Sequence, residues 1–222
     1  MRDDALFPAR SQARLCYVRT AAGPHEPDMY NYEHLHPLEK SLASQAVNAR
    51  KAELGDARWC AHQALGEVGA PAGEPILRGE RGMPLWPEGF TGSMTHTEGL
   101  RAAVAAPLTT VRSLGLDAEP NEELPAEVLP MIARSGELLQ LAELRPQVSA
   151  PDRLLFCAKE ATYKAWFPLT HRWLGFEDAE ISLRSDGTLI AYLLVRPTPV
   201  PFIAGRWVER DGYFIVAMTV PR

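Results

Sequence analysis

Three carboxylates and a lysine in this 222-residue chain are spaced as though they could do chemistry together. Asp117-Ala118-Glu119 closes the segment SLGLDAE, which reads as a strand. Alternation puts residues i and i+2 on one face, roughly 6–7 Å apart. Two carboxylates that close repel each other unless a cation lies between them. Pro120 stops the strand and leaves both groups at its carboxyl end, where α/β sheets hold ligands. Alone, the pair reads more simply as two surface acids on a turn.

The segment FCAKEATYKAWF adds the third carboxylate. It places Glu160 and Lys164 at i, i+4 on one helix face, with Phe156, Tyr163 and Phe167 beside them, while Lys159 projects about 100° away. A surface Glu–Lys pair at this spacing contributes only ~0.3–0.5 kcal/mol. Yet Phe156, Ala161, Trp166 and Phe167 make the helix apolar around much of its circumference, so it should be largely buried. Buried acids and lysines are retained when paired or bound to something. Glu160 meeting Asp117 and Glu119 would complete an all-oxygen site for a hard cation, and magnesium is the natural choice.

The cations are unevenly spread. Arg50 and Arg58 fall in helical segments, and Arg78 and Arg81 flank the turn in ILRGERG. Each by itself reads as a surface residue with its stem laid on apolar neighbours. The short segment Gly92-Ser93-Met94-Thr95-His96 is polar between apolar strands. Its Ser93, Thr95 and His96 could bind phosphate oxygens, or His96 could hydrogen-bond within the core. No G-x-S-x-G elbow, phosphate loop or G-x-G-x-x-G fingerprint is present. Any anionic ligand must therefore be held by side chains.

These residues need a scaffold, and the composition is that of an ordinary globular one. Hydrophobic residues make up 46% and charged residues 23%, which excludes disorder, collagen and coiled coil. The formal net charge of −5 and a pI of about 5.7 argue against nucleic-acid binding. Three scattered cysteines (Cys16, Cys60 and Cys157) suggest reduced thiols. There is no apolar run of signal-peptide or membrane-span character, so a soluble cytoplasmic chain without membrane contact is expected.

Residues 21–31 read as loop. Helix formers run from Pro37 to Leu54, Gly55 reads as a break, and Asp56 as the N-cap of a second helix to about Val68. Residues 69–92 can hold only short strands and turns. Strands are expected at Ser93–His96, Arg101–Ala106 and Ser113–Glu119, helical composition over 125–145, and the clearest helix from Arg153 to about Phe167. Four strands follow, at Glu180–Leu183, Thr188–Val195, Arg206–Glu209 and Tyr213–Val220. The fold class is thus mixed α/β (α+β) in two similar halves, 1–112 and 113–222, the second carrying the metal site.

The ordered set Arg50, Arg58, ILRGERGMPLWPEGFTGSMTH, SLGLDAEP and FCAKEATYKAWFPL resembles the surfactin-type 4′-phosphopantetheinyl transferases, particularly actinobacterial members. The resemblance implies two pseudo-two-fold-related α/β subdomains with coenzyme A between them. It implies transfer of phosphopantetheine from coenzyme A to a serine of apo acyl or peptidyl carrier proteins, releasing adenosine 3′,5′-bisphosphate. Such carriers serve fatty-acid, polyketide, nonribosomal peptide and siderophore biosynthesis. By the same resemblance Asp117, Glu119 and Glu160 hold Mg²⁺, with Mn²⁺ as the alternative. Glu160 takes the serine proton, directly or through a water, and Lys164 stabilises the pyrophosphate. Arg50, Arg58, Arg78, Ser93, His96 and Lys159 grip the phosphates, and Tyr163 and Phe156 line a pantetheine channel. A monomer is expected. Ala118 and Cys157 stand where members often carry Ile or Val and Ser, and Arg78 where they often carry Lys. Two rival readings are a Mg²⁺-dependent phosphodiesterase or nuclease, opposed by the missing basic stripe, and a non-catalytic carrier-binding module, which would not need these carboxylates and lysines.

Overall fold

A computed structural model describes residues 1–21 and 26–222. Among the described residues, ten strands and six α-helices follow in chain order. The first half contains β1 (Arg14–Arg19), α1 (Tyr30–Glu33), α2 (Pro37–Ser41), α3 (Asn48–Glu67), β2 (Leu77–Arg78), β3 (Pro84–Leu85), β4 (Phe90–Thr97) and β5 (Leu100–Pro107). Then come β6 (Val111–Pro120), α4 (Leu129–Ile132), α5 (Ser135–Leu144), α6 (Pro151–Thr170), β7 (Ala179–Leu183), β8 (Thr188–Leu193), β9 (Phe202–Arg210) and β10 (Tyr213–Pro221). Short 3-10 turns occur at Ala9–Ser11, Glu80–Gly82 and Phe176–Asp178.

The fold is mixed α/β. One antiparallel sheet has the order β1-β5-β4, and a second has the order β6-β10-β9-β8-β7. Each carries a 20-residue helix. α3 packs Cys60, Ala61 and Ala64 on Ala103 and Ala105 of β5. α6 packs Leu154, Ala158, Ala161 and Trp166 on the five-stranded sheet. Each fully buried leucine of this layer contributes on the order of 1.5–3 kcal/mol. A third apolar cluster joins the two sheets, with Leu15, Ala102 and Val104 meeting Leu114, Leu116 and Ala118 of β6.

α6 runs antiparallel to β6 in a repeating register. The Ser113 hydroxyl donates to Ala165 O at 2.8 Å, and Glu119 accepts from Arg153 at 3.2 Å. Gly115 faces Ala161, and Asp117 faces Cys157. Two strand residues advance about 6.7 Å and four helix residues about 6 Å, so the pairing holds over the whole contact. Gly115 sets the spacing: a Cβ there would overlap the Ala161 carbonyl oxygen and stand 2.8 Å from Ala165 N.

The helix expected from Pro37 to Leu54 is instead two. α2 ends at Ser41, and α3 begins at Asn48 and runs unbroken through Gly55. Gly55 is not a breaker but a point of close approach, because a Cβ would strike the Tyr32 backbone packed across it. Asp56 is not an N-cap; it lies inside α3 and accepts a 2.7 Å hydrogen bond from the Asn31 amide. β1 had no counterpart in the expectation. Within the stretch 21–31, Tyr30 and Asn31 are helical, and residues 22–25 lie outside the described residues. The later elements agree with expectation to within a few residues, and the Asp211–Gly212 turn has both residues at positive φ, as a tight hairpin requires. Cys16, Cys60 and Cys157 are free thiols. Among the described residues, no helix is long and apolar enough to cross a membrane.

Gly115→Ala should destabilise the protein by about 1–3 kcal/mol through overpacking of α6 on β6, read as a lower urea midpoint. An unchanged midpoint would show that α6 can lift from the strand without penalty.

Candidate active site

β4 and β6 adjoin at the seam between the sheets, in different sheets. Their side chains close the gap. The Ser93 hydroxyl accepts the Leu116 N–H at 3.0 Å, and the Thr95 hydroxyl donates to Asp117 Oδ1 at 2.9 Å. From the α6 side, Lys164 Nζ donates to the same Asp117 oxygen at 2.7 Å. Asp117 is 4% exposed, and its other oxygen, Oδ2, is buried without a hydrogen-bond partner. Burial first, then the Asp117 charge, push the Glu119 carboxyl up to about 7, against the pull of Arg153. The same two causes raise Glu160, which makes no hydrogen bond or ion pair with the described residues. The seam thus concentrates more negative charge than its own lysine and arginine satisfy.

A cleft of about 380 Å³ opens above this floor. Its lining includes Ser93, Thr95, His96, Glu160, Tyr163 and Lys164, with Arg50, Arg58, Arg78 and Arg81 on the wall from the first half. Burial, opposed by Glu39, lowers the Arg58 pKa, and the charges of Arg78 and Arg50 lower it further. These guanidiniums are therefore near enough to repel one another, and the wall suits a ligand with several negative charges.

Backing groups hold the cations in place. Arg50 bonds Glu53 at 2.9 Å and donates to His96 Nε2 at 2.8 Å. A guanidinium only donates, so His96 Nε2 carries the lone pair and the ring proton is on Nδ1. Burial, then Arg50, lower the His96 pKa, which keeps the ring neutral. Arg58 Nε donates to Ile76 O at 3.1 Å, and Glu39 stands 3.7 Å away. Glu39, fully buried, also receives the Ile76 N–H at 3.0 Å and His62 at 2.9 Å. At the mouth, the Arg81 guanidinium lies 5.4 Å over the Trp173 ring, and Glu80 meets His171 at 3.5 Å. Tyr163 packs at tilted angles against both Trp173 and Phe167.

Of the residues expected at the site, Arg50, Arg58, Arg78, Ser93, His96, Glu160, Tyr163 and Lys164 come together around the cleft, with Asp117 beneath it. Two do not. Lys159 points into the second half, where its ammonium bonds Glu137 at 2.9 Å, Phe176 O at 2.6 Å and Ala179 O at 3.1 Å. All three of its donors are spent, so it has none left for a ligand. Phe156 packs on Phe176 with ring centroids 6.0 Å apart and does not line the cleft. Nor do the three carboxylates form a ready cage: among the described residues no three acidic, imidazole or thiol groups are gathered for a metal. Asp117 is turned to Lys164 and Glu119 to Arg153. Glu39 and Arg153 are site-shaping residues that sequence reasoning overlooked. Arg153 stands seven residues before Glu160, a legible helical spacing; Glu39 gave no signal beyond that of an acid in a helix first turn.

Comparison with known proteins adds independent findings. Residues 38–106 match the 4′-phosphopantetheinyl transferase N-terminal domain, and residues 113–217 match the 4′-phosphopantetheinyl transferase superfamily. The chain is 42% identical over 194 residues to the 4′-phosphopantetheinyl transferase PptT of Mycobacterium tuberculosis, covering 83% of this chain and 85% of the relative. It is 43% identical over 197 residues to the 4′-phosphopantetheinyl transferase Npt of Nocardia iowensis, covering 82% and 88%. Enterobactin synthase component D of Salmonella typhi is 31% identical over 197 residues, covering 87% and 77%.

Glu39 offers a test of the wall's support. Burial raises its pKa, but His62, the Ile76 N–H and Arg58 more than offset this, and the net value lies below the usual carboxylate range. A depressed carboxylate contributes stability above its unfolded pKa and loses it as pH falls through the folded value. Glu39→Gln should cost about 1–3 kcal/mol at neutral pH. In urea titrations this deficit should shrink as pH falls below about 4.5; a constant deficit across that range would remove the charge from the account.

Proposed function

The chain belongs to the 4′-phosphopantetheinyl transferase superfamily, and from that premise we propose that it moves 4′-phosphopantetheine from coenzyme A to a serine of apo acyl or peptidyl carrier proteins. The observation that carries this reading is the cleft, where a cationic wall faces Glu160 over the buried Asp117. The 3′-phosphate and pyrophosphate of coenzyme A lie against Arg50, Arg58 and Arg78. Ser93 accepts the Leu116 N–H, which leaves its own proton for a phosphate oxygen. His96 offers its Nδ1 proton in the same way. The pantetheine arm runs along Tyr163 and the apolar lining from Met83, Pro84 and Trp86. Phosphoryl transfer rests mostly on such positioning and charge neutralisation.

Asp117, Glu119 and Glu160 would hold the magnesium, or manganese, ion. The unpartnered Asp117 Oδ2 and the raised Glu119 and Glu160 carboxyls suit an oxygen-seeking dication. Such an ion supplies Lewis acidity and a template for the pyrophosphate. Glu160 reaches the cleft without an internal partner, and its raised pKa strengthens it as a base. It takes the proton from the carrier serine, directly or through a water. Lys164, held by Asp117, faces the leaving oxygen with its remaining donors.

The halves 1–112 and 113–222 act as two lobes, one contributing most of the cations and the other the carboxylates. The protein works as a cytoplasmic monomer, apart from membranes and nucleic acid. Likeness to an enterobactin synthase component supports a place in siderophore biosynthesis.

With coenzyme A, Mg²⁺ and a panel of apo carriers, mass spectrometry should record one added phosphopantetheine; no gain on any carrier would sink the reading. Glu160→Ala should lower kcat by about 10²–10⁴-fold with the fold intact by circular dichroism. Near-normal turnover would take Glu160 out of the proton transfer. Arg50→Ala should raise KM for coenzyme A roughly tenfold, the loss of a charged hydrogen bond, and an unchanged KM would refute its phosphate role.

A further inference from the structure

A second cavity, of about 540 Å³, lies at the opposite end of β6 from Glu119. Its floor is apolar: Leu6, Val111 and Val220 line it and are each 2% exposed or less. Two features of the backbone open it. The β6–β10 register shifts between Val220 and Pro221, so that Val220 pairs with Ser113 but Pro221 with Val111. Strand alternation also puts Phe202, Ala204 and Arg206 of β9 on one face. Phe202 remains 50% exposed there, paired across the strands with Tyr192, itself 46% exposed.

The charge at its rim is one-sided. Arg10 and Arg206 line the cavity, and no aspartate or glutamate does. Neither guanidinium forms a hydrogen bond or ion pair with the described residues. Arg206 influences Asp186 at long range, but the Asp186 carboxylate is hydrogen-bonded to Thr188. The nearby Thr110 hydroxyl is also engaged, on Ser11 O and Pro107 O. The cavity therefore offers an apolar volume and two free guanidiniums. Its size falls within the range of small-molecule sites, about 300–1,000 Å³. A guanidinium is the side chain best matched to a carboxylate, which it can meet with two parallel hydrogen bonds.

We propose that this cavity is a second ligand site, for a small amphipathic carboxylate whose aliphatic chain fills the pocket and whose head group meets Arg10 and Arg206. Six residues of extended strand, about 20 Å, separate Val111 from Asp117, so the ligand does not compete with one in the first cleft.

Decanoate, below its micellar concentration, is the probe, titrated calorimetrically into the full chain. Saturable binding of one decanoate per chain is expected, with the same affinity when coenzyme A is in excess. Decyltrimethylammonium should not bind. The Arg10→Glu/Arg206→Glu double variant should weaken decanoate binding by about tenfold or more, near 1.4 kcal/mol. Ala204→Trp, which fills the cavity from a solvent-facing strand position, should abolish it while the thermal midpoint stays near that of the parent. Absence of binding, displacement by coenzyme A, or unaltered affinity in both variants would overturn the proposal.

Discussion

The contact between Lys164 Nζ and Asp117 Oδ1, 2.7 Å long, is the point at which the two halves and the chemistry meet. Asp117 belongs to β6, Lys164 to α6, and the second partner of the same oxygen, Thr95, to β4. One buried carboxylate oxygen thus joins the edge strand of the first sheet to the strand and helix that carry the carboxylates. It holds its place because β6 and α6 share a register of two strand residues to four helix residues, with Gly115 allowing the closest approach. If the helix rode higher, the Lys164 side chain would no longer reach Asp117.

Like charges gathered at one place work against folding, and the protein answers with backing groups. Arg50 is held by Glu53, Arg58 by Glu39 and the Ile76 carbonyl, and Arg81 by the Trp173 ring. Glu39, the Ile76 carbonyl and Trp173 stand outside the cleft lining, whereas Glu53 lines the cleft beside Arg50. Rotamer freedom is lost on folding, so less remains to be lost when a ligand arrives. A chain of net charge −5 can therefore present a cationic site, because the sum over the surface says little about a local arrangement. An acidic carrier would meet repulsion at long range, which leaves docking to local shape and charge.

How much of this was legible in the sequence follows from how local each cause is. The Asp117–Glu119 alternation, the Glu160–Lys164 spacing and the extent of α6 depend on neighbours within a few positions, and all can be read along the chain. Gly55 misleads because its cost in a helix, about 0.5–1 kcal/mol against alanine, is local, whereas its reason, the Tyr32 backbone, lies 23 positions earlier. Lys159 misleads similarly. Its neighbour Glu160 faces the cleft, but a 100° turn of the helix delivers Lys159 to Glu137, on a different helix. Glu39 is the extreme case, since nothing near it in sequence announces that His62, Ile76 and Arg58 will converge on it.

The placement of the site also has a different cause from the one strand order suggests. In open parallel sheets, ligands gather at the carboxyl ends of strands where the order reverses. Here β6 is an edge strand paired antiparallel to β10, and β4 is the edge of the other sheet. The cleft forms where two sheet edges meet without a backbone ladder. Edge N–H groups at such a seam need partners, and Ser93 gives one to Leu116. A seam closed by side chains can hold acids and hydroxyls where a continuous ladder would demand close-packed strands. Ser93, which satisfies that edge N–H, also lines the cleft, so at this point sheet closure and ligand binding draw on the same group.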